Sequence, residues 1–128
     1  MKVQTTKTSK GVLSMDKIIQ DFLRKGTNFN EKDIISRIKK SGRIKLLALS
    51  GLFIKDHNRK LDILIVGNRI KKDILEKEIA IIESEIGREL RYAFFDQEEF
   101  AYRTSMYDKL IRDILENDHK KLIDAQNN

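Results

Sequence analysis

Cysteine and long apolar runs are both absent from this 128-residue sequence. Without cysteine the chain forms no disulfide framework, no thiolate metal site and no thiol nucleophile, which favours the cytoplasm as its compartment. The longest apolar runs, Leu46–Leu49 and Ile63–Val66, fall far short of the ~20 residues that span a bilayer. Residues 1–10 contain no apolar segment of the kind found in secretory signals. The sequence therefore predicts a protein without a membrane partner.

Several motifs of enzyme chemistry are missing as well. The sequence has no P-loop, no dinucleotide-binding fingerprint and no Ser/His/Asp order of a hydrolase. Its two histidines, His57 and His119, are isolated from each other and from any cluster of metal-ligand type. We interpret both as surface residues.

The composition, with 40% hydrophobic and 36% charged residues, is that of a folded domain with a substantial core. Charge is unevenly distributed, because residues 1–60 hold 15 Lys and Arg against 5 Asp and Glu, whereas residues 61–128 hold 11 against 15. A nucleic-acid partner for the basic half stays open. The alternative is that these lysines form an ordinary solvated face.

Three segments are predicted along the chain. Residues 1–13 are rich in Thr, Lys and Ser and predict a disordered tail. Residues 14–42 form an N-terminal helical segment with two short helices, one over 15–24 after Ser14 and one over Glu31–Lys40 after Asn30. Residues 43–128 carry the pattern of a separate α/β unit.

Within 43–128, apolar runs bounded by glycine predict strands at Ile44–Ser50, Leu61–Val66 and Leu90–Phe95. An isoleucine-rich stripe predicts a helix over Ile70–Ile86, with Gly87 as its C-cap. The final elements are a helix capped by Asp96, a helix over 107–116 and a short strand over 121–123. The fold class is therefore α/β (α+β), a mixed sheet of about four strands covered by helices, with the two short helices before it. The recurring aromatic residues predict packing positions: Tyr92, Phe94, Phe95, Phe100, Tyr102 and Tyr107.

One pair of motifs resembles a known superfamily. Leu49-Ser50-Gly51, a polar loop and then Leu61 to Gly67 are similar to the core of the DNA polymerase β-like nucleotidyltransferases, especially their minimal members. The resemblance covers residues 34–123. It is closest to the nucleotidyltransferase-like C-terminal domain of winged-helix regulators, although the winged helix itself is absent.

The resemblance implies a site at the end of the first strand. In that superfamily a Gly-Ser pair holds nucleotide phosphate, and an Asp-x-Asp pair on the second strand binds two divalent cations during in-line transfer. Carried over to this chain, Ser50 and Gly51 would contact phosphate and Asp62 would bind metal. The implied cofactors are Mg²⁺ and a nucleoside triphosphate, if the site is functional.

The chain departs from the pattern at most of the metal ligands. Lys60 stands where the first carboxylate of the pair is expected, and the third strand offers no carboxylate until Asp96 at its end. A lysine there removes a ligand and repels the cation, although it could itself contact phosphate. Asp62 is then either a remnant of the site or a structural carboxylate paired with Lys45 or Lys60.

Three functions follow from this sequence. The first is a degenerate, catalytically inactive nucleotidyltransferase-like domain that serves as a nucleotide-binding or sensing module, or as a protein-interaction module with a partner or a second copy. The second is a residually active metal-dependent nucleotidyltransferase using Asp62 with Asp56 or Asp96. The third is a nucleic-acid-associated component of a transcriptional regulator.

Overall fold

A computed structural model describes residues 29–125 of the chain. The predicted tail at 1–13 and the predicted helix at 15–24 lie outside the described residues. Within them, the helices and strands occur in the predicted order, with a 3-10 turn in addition. They are α1 (Glu31–Lys39), β1 (Arg43–Leu49), a 3-10 turn (Gly51–Ile54), β2 (Ile63–Asn68), α2 (Lys72–Ile86), β3 (Tyr92–Asp96), α3 (Gln97–Ser105), α4 (Lys109–Leu115) and β4 (Lys120–Asp124).

Helix ends lie where local hydrogen bonds satisfy the exposed backbone groups. The Asn30 side chain accepts a bond from the Asp33 N–H at 3.1 Å, and Asp96 accepts one from the Glu99 N–H at 2.7 Å. Gly87 follows α2 with a φ of 85°, a left-handed conformation that glycine adopts without a Cβ penalty. These three predicted caps are confirmed.

The four strands form one mixed sheet in the order β3-β2-β1-β4. Strand β1 is antiparallel to both β2 and β4, while β2 and β3 are parallel and are connected through α2. Parallel strands need such a crossover, because a tight turn reverses the chain direction and therefore joins only antiparallel strands. The predicted mixed sheet of about four helix-covered strands is confirmed.

Both faces of the sheet are covered by helices. Alternate residues of β2 point to opposite sides, so that Ile63 and Ile65 pack with α1 and α2, whereas Leu64 and Val66 pack with α3 and α4. All four of these side chains are fully buried, and each stabilises the fold by roughly 1.5–3 kcal/mol. Strands covered on both faces read as continuous apolar runs, which explains why β1 and β2 stand out in the sequence.

Helix α1 shares the core of the sheet. Its Ile34 and Ile38 are buried in the same cluster as the residues of β1, β2 and α2. The N-terminal helical segment and the sheet are thus joined across the predicted boundary at residue 43. No helix within residues 29–125 combines the length and the apolar character that a membrane crossing needs.

Candidate functional site

The residues that carry the resemblance meet at one end of the sheet. Ser50 follows the last residue of β1, and Asp62 directly precedes β2 instead of lying within the strand. The Ser50 N–H donates to the carbonyl oxygen of Asp62 at 2.8 Å. The structure therefore brings Ser50, Gly51 and Asp62 together, as the resemblance implies.

The Asp62 carboxylate is bound on both oxygens by donors of the chain itself. Oδ1 accepts from the Leu52 N–H at 2.8 Å and from Arg91 Nη2 at 2.9 Å. Oδ2 accepts from the Arg91 N–H at 2.8 Å and from Arg91 Nε at 3.2 Å. An ionised carboxylate offers about four lone-pair sites, so these four bonds use its accepting capacity.

Burial and the bound donors act on this carboxylate in opposite directions. The Asp62 side chain is only 3% exposed, and this burial raises its pKa. The hydrogen bonds from the Arg91 side chain, the Arg91 amide and the Leu52 amide lower the pKa and outweigh burial, so that it lies below the ordinary value of 3.8. Asp62 is therefore an ionised, sequestered group.

The partner of Asp62 differs from both sequence-based candidates. It is Arg91, rather than Lys45 or Lys60. Arg91 directly precedes β3, and the parallel register of Ile63 with Tyr92 brings the residue before each strand side by side. The sequence places Arg91 on the segment where the resemblance expects the third metal-binding carboxylate, but it does not specify the pairing with Asp62.

Lys60 belongs to a loop that is fastened to α4. Its backbone N–H donates to Asp113 Oδ2 at 2.8 Å, and Arg59 Nη1 lies 3.4 Å from Asp113 Oδ1. Arg91 Nη1 donates to the Arg59 carbonyl at 2.8 Å and thus ties the same loop to the start of β3. The side chain of Lys60 is exposed and makes no ion pair with the residues that the structure describes. The Lys60 backbone is therefore fixed next to the candidate site, while its side-chain ammonium has no ion-pair partner among residues 29–125.

The turn that would hold phosphate is closed in this structure. Ser50 is 0% exposed and its hydroxyl has no hydrogen-bond partner among residues 29–125. Gly51 is buried with a φ of 50°, and a Cβ there would collide with Oδ1 of Asp62 and with the Leu61 carbonyl. Phosphate contact by Ser50 and Gly51 stays a prediction.

The residues around Asp62 do not fit Mg²⁺. The two other carboxylates considered as ligands are used elsewhere: Asp56 lies 3.2 Å from Arg59, and Asp96 caps α3. Hard cations need several oxygen ligands, whereas the Asp62 carboxylate already contacts the cationic side chain of Arg91. Over residues 29–125 there is also no group of three or more acidic, histidine or cysteine side chains that could hold a metal.

A second feature lies on α3 and the turn that follows it. Tyr102, Met106 and Tyr107 are 64%, 62% and 73% exposed, so the predicted packing role of the two tyrosines is wrong, whereas Phe95 and Phe100 are buried as predicted. These three exposed residues are here called the α3 patch, and two of them, Tyr102 and Met106, line a groove of about 390 Å³. Arg103 in that groove pairs with Glu99 at 3.0 Å and with Asp108 at 2.9 Å.

Comparison with protein-family models, with curated proteins and with solved structures gave no match for this chain.

Proposed function

We propose that this chain is a nucleotidyltransferase-like domain that does not catalyse nucleotidyl transfer and acts in the cytoplasm as a binding module. The sheet with its helices on both faces and the meeting of Ser50 with Asp62 support the resemblance. The lack of cysteine supports the compartment.

One observation carries the loss of catalysis: all four donors on the Asp62 carboxylate come from the chain itself. A metal ion at Asp62 would have to displace the Arg91 guanidinium from a carboxylate that is 3% exposed. Removing one partner of such a pair is costly, and the released cation would then repel the metal. Arg91 thus supplies the positive charge that a metal supplies in an active nucleotidyltransferase.

The test of inactivity is incubation with each labelled nucleoside triphosphate, Mg²⁺ or Mn²⁺, and a cell extract as the source of acceptors. We expect no labelling above that of a heat-denatured sample, because lost metal ligands remove several kcal/mol of transition-state stabilisation. Reproducible labelling that Asp62→Ala abolishes would overturn the proposal. It would instead favour the residually active enzyme.

The nucleotide-binding form of the proposal rests on Lys60, whose exposed ammonium has no carboxylate partner in the described structure. ATP binding through this residue would be metal-independent. Titration calorimetry with ATP should therefore give the same affinity in EDTA and in Mg²⁺, with Lys60→Ala weakening it and Lys109→Ala, an exposed lysine on α4, leaving it unchanged. Binding that needs Mg²⁺ and survives Lys60→Ala would contradict this form.

The α3 patch favours a protein-interaction role as the second candidate. Its groove presents a cation, Arg103, between two carboxylates, Glu99 and Asp108, which makes the surface self-complementary in charge. A two-fold dimer uses the same patch on both copies and needs such self-complementarity. We therefore propose a second copy of this chain as the occupant.

Analytical ultracentrifugation over a concentration series tests this dimer. Tyr102→Ser combined with Met106→Ser should shift the protein towards monomer, because both changes remove exposed apolar area at the interface. Ala80→Ser, at an exposed position of α2, is the matched control and should leave the association unchanged. A monomer at all concentrations, or equal association of both variants, would remove the dimer from consideration.

A further inference from the structure

The end of the sheet opposite Asp62 is built from two chain segments in direct contact. Residues 39–45 run from the end of α1 into β1, and residues 68–72 run from β2 into α2. Arg43 is paired with Asn68 in the sheet, and the Lys71 N–H donates to the Ser41 carbonyl at 2.7 Å. The two segments also approach closely at Gly42, where a Cβ would lie 2.7 Å from the Arg69 carbonyl oxygen.

Together these two segments hold seven basic residues and no acidic one. We call this surface the basic end; its cationic residues are Lys39, Lys40, Arg43, Lys45, Arg69, Lys71 and Lys72. All of them are exposed except Lys45, which is half-buried. Basic residues from the first half of the sequence thus lie next to basic residues at the start of α2.

The charge of the basic end is largely uncompensated. Lys40 lies 4.0 Å from Glu78 and Lys72 lies 4.0 Å from Glu76, which are loose contacts. The other five cations have no carboxylate within ion-pair distance among residues 29–125. Outside the basic end, five of the six arginines in residues 29–125 are paired, as Arg37 is with Asp33, and Arg88 is the exception. Clustered charges of one sign raise the local concentration of polyanions.

The start of α2 adds to the positive potential. Helix α2 has 15 residues, and its N-cap residue, Lys71, makes no side-chain capping bond. The positive end of the helix dipole is therefore directed at the basic end, with Asp73 as the only acidic residue of its first turn. The preceding Arg69 has a φ of 56°, so its position in the connection is fixed by an uncommon backbone conformation.

We propose that the basic end binds the sugar-phosphate backbone of nucleic acid without reading its sequence. Contacts to phosphate come mainly from Arg, Lys and helix N-termini, and these are the groups present. The Asn68 amide, which could contact a base edge, is instead hydrogen-bonded to Gln97 at 2.7 Å. Binding would depend on phosphate charge and be similar for unrelated sequences.

An anionic membrane is the less favourable partner for this surface. Stable interfacial binding usually adds apolar side chains that enter the lipid to the electrostatic attraction of the cations. The two segments offer no exposed large apolar residue, since Ile44 is buried and Ile70 is half-buried. Nucleic acid needs no such insertion. The basic end is also separate from the candidate site, because it and Asp62 lie at opposite ends of the β1-β2 pair, about 20 Å apart at 3.3 Å per residue.

The test is fluorescence anisotropy with two labelled 20-base-pair duplexes of unrelated sequence, titrated from 50 to 300 mM salt. We expect equal affinity for both duplexes and a logarithmic salt slope of about −4, because each neutralised phosphate contributes about −0.9. Arg43→Glu combined with Lys71→Glu should weaken binding at least tenfold and reduce the magnitude of the salt slope by about two. The milder pair Lys39→Gln and Lys40→Gln should weaken it severalfold.

The control is Arg88→Glu combined with Lys109→Glu, which changes net charge by the same amount at exposed positions outside the basic end. It should alter the affinity less than threefold, and circular dichroism checks that all variants are folded. Equal effects of the two charge-reversed pairs would overturn the proposal, because binding would then follow net charge alone. Absence of duplex binding at 50 mM salt, or binding only to phosphatidylserine vesicles, would overturn it too.

Discussion

The Arg91 guanidinium lies against the carboxylate of Asp62, with Nη2 2.9 Å from Oδ1 and Nε 3.2 Å from Oδ2. The arginine is 53% exposed while the aspartate is 3% exposed, so the guanidinium covers a carboxylate that would otherwise be buried alone. This contact joins the residues preceding β2 and β3, and it pairs the buried carboxylate of the candidate site with a cation of the same chain.

Arg91→Met should destabilise the protein by about 2 kcal/mol, less than the loss from a fully buried pair because Arg91 is half exposed. The cause is that Asp62 stays buried with only two backbone donors. Urea unfolding measures the change. The matched control is Arg112→Met, which removes an exposed i,i+4 pair with Glu116 and should cost roughly 0.3 kcal/mol. Equal costs for the two variants would mean that Arg91 does not stabilise Asp62.

Stability should fall on acidification because of the lowered pKa of Asp62. Burial raises this pKa, but the bonds from Arg91 and Leu52 lower it below the ordinary 3.8 in the folded state. The unfolded chain therefore binds a proton more readily, so the stabilisation is present above pH 4 and is lost as pH falls through the folded pKa. Unfolding free energies from pH 6 to 2 should decrease less steeply in Asp62→Asn. A slope unchanged by that substitution would contradict the assignment.

Gly51→Ala should cost about 3 kcal/mol, because alanine must adopt a positive φ and its Cβ would meet the Asp62 carboxylate. Gly87→Ala is the control, since Gly87 has a φ of 85° but open space around its Cβ position. It should cost about 1 kcal/mol, the conformational part alone. Thermal and urea unfolding of both variants separate the steric contribution from the conformational one. Equal losses would show that the turn moves to accept a side chain.

Asp113→Ala should loosen the loop that carries Lys60. The Asp113 carboxylate accepts the Lys60 N–H at 2.8 Å and lies 3.4 Å from Arg59, so its removal should cost about 1–2 kcal/mol. Hydrogen exchange of the Lys60 amide should accelerate at the same time. Asp118→Ala, at an exposed position, should change neither quantity.

The strands and caps were predictable because local sequence determines them. Strands β1 and β2 are covered on both faces, so their apolar runs are continuous. The C-terminal end of α2 lies at Gly87 and the N-terminal end of α3 at Asp96, two residues with strong local capping preferences. Tyr102 and Tyr107 could not be placed in the same way. Aromatic spacing does not reveal whether a helix face is covered, and theirs is exposed.

At the candidate site, the meeting of Ser50 with Asp62 was predictable from the resemblance, whereas the pairing of Asp62 with Arg91 was not. It depends on the register between β2 and β3, two parallel strands whose pairing is set through the intervening helix. Lys60, beside Asp62 in sequence, and Lys45, on the first predicted strand, were therefore the natural candidates. Likewise, the basic end arises only when residues 39–45 and 68–72 come into contact across the sheet.

The position of β4 has a consequence for how the chain acquires its structure. One edge of β1 is paired only after β4 has been synthesised, because Leu47 pairs with Ile123 of β4, which lies much later in the sequence. Until residues 120–124 leave the ribosome, one backbone edge of this very apolar strand is unpaired, and such an edge recruits strands from other molecules. Folding of the sheet during synthesis is thus incomplete until residues 120–124 have been made, and a stalled or clipped chain that lacks β4 should aggregate instead of remaining a smaller folded domain.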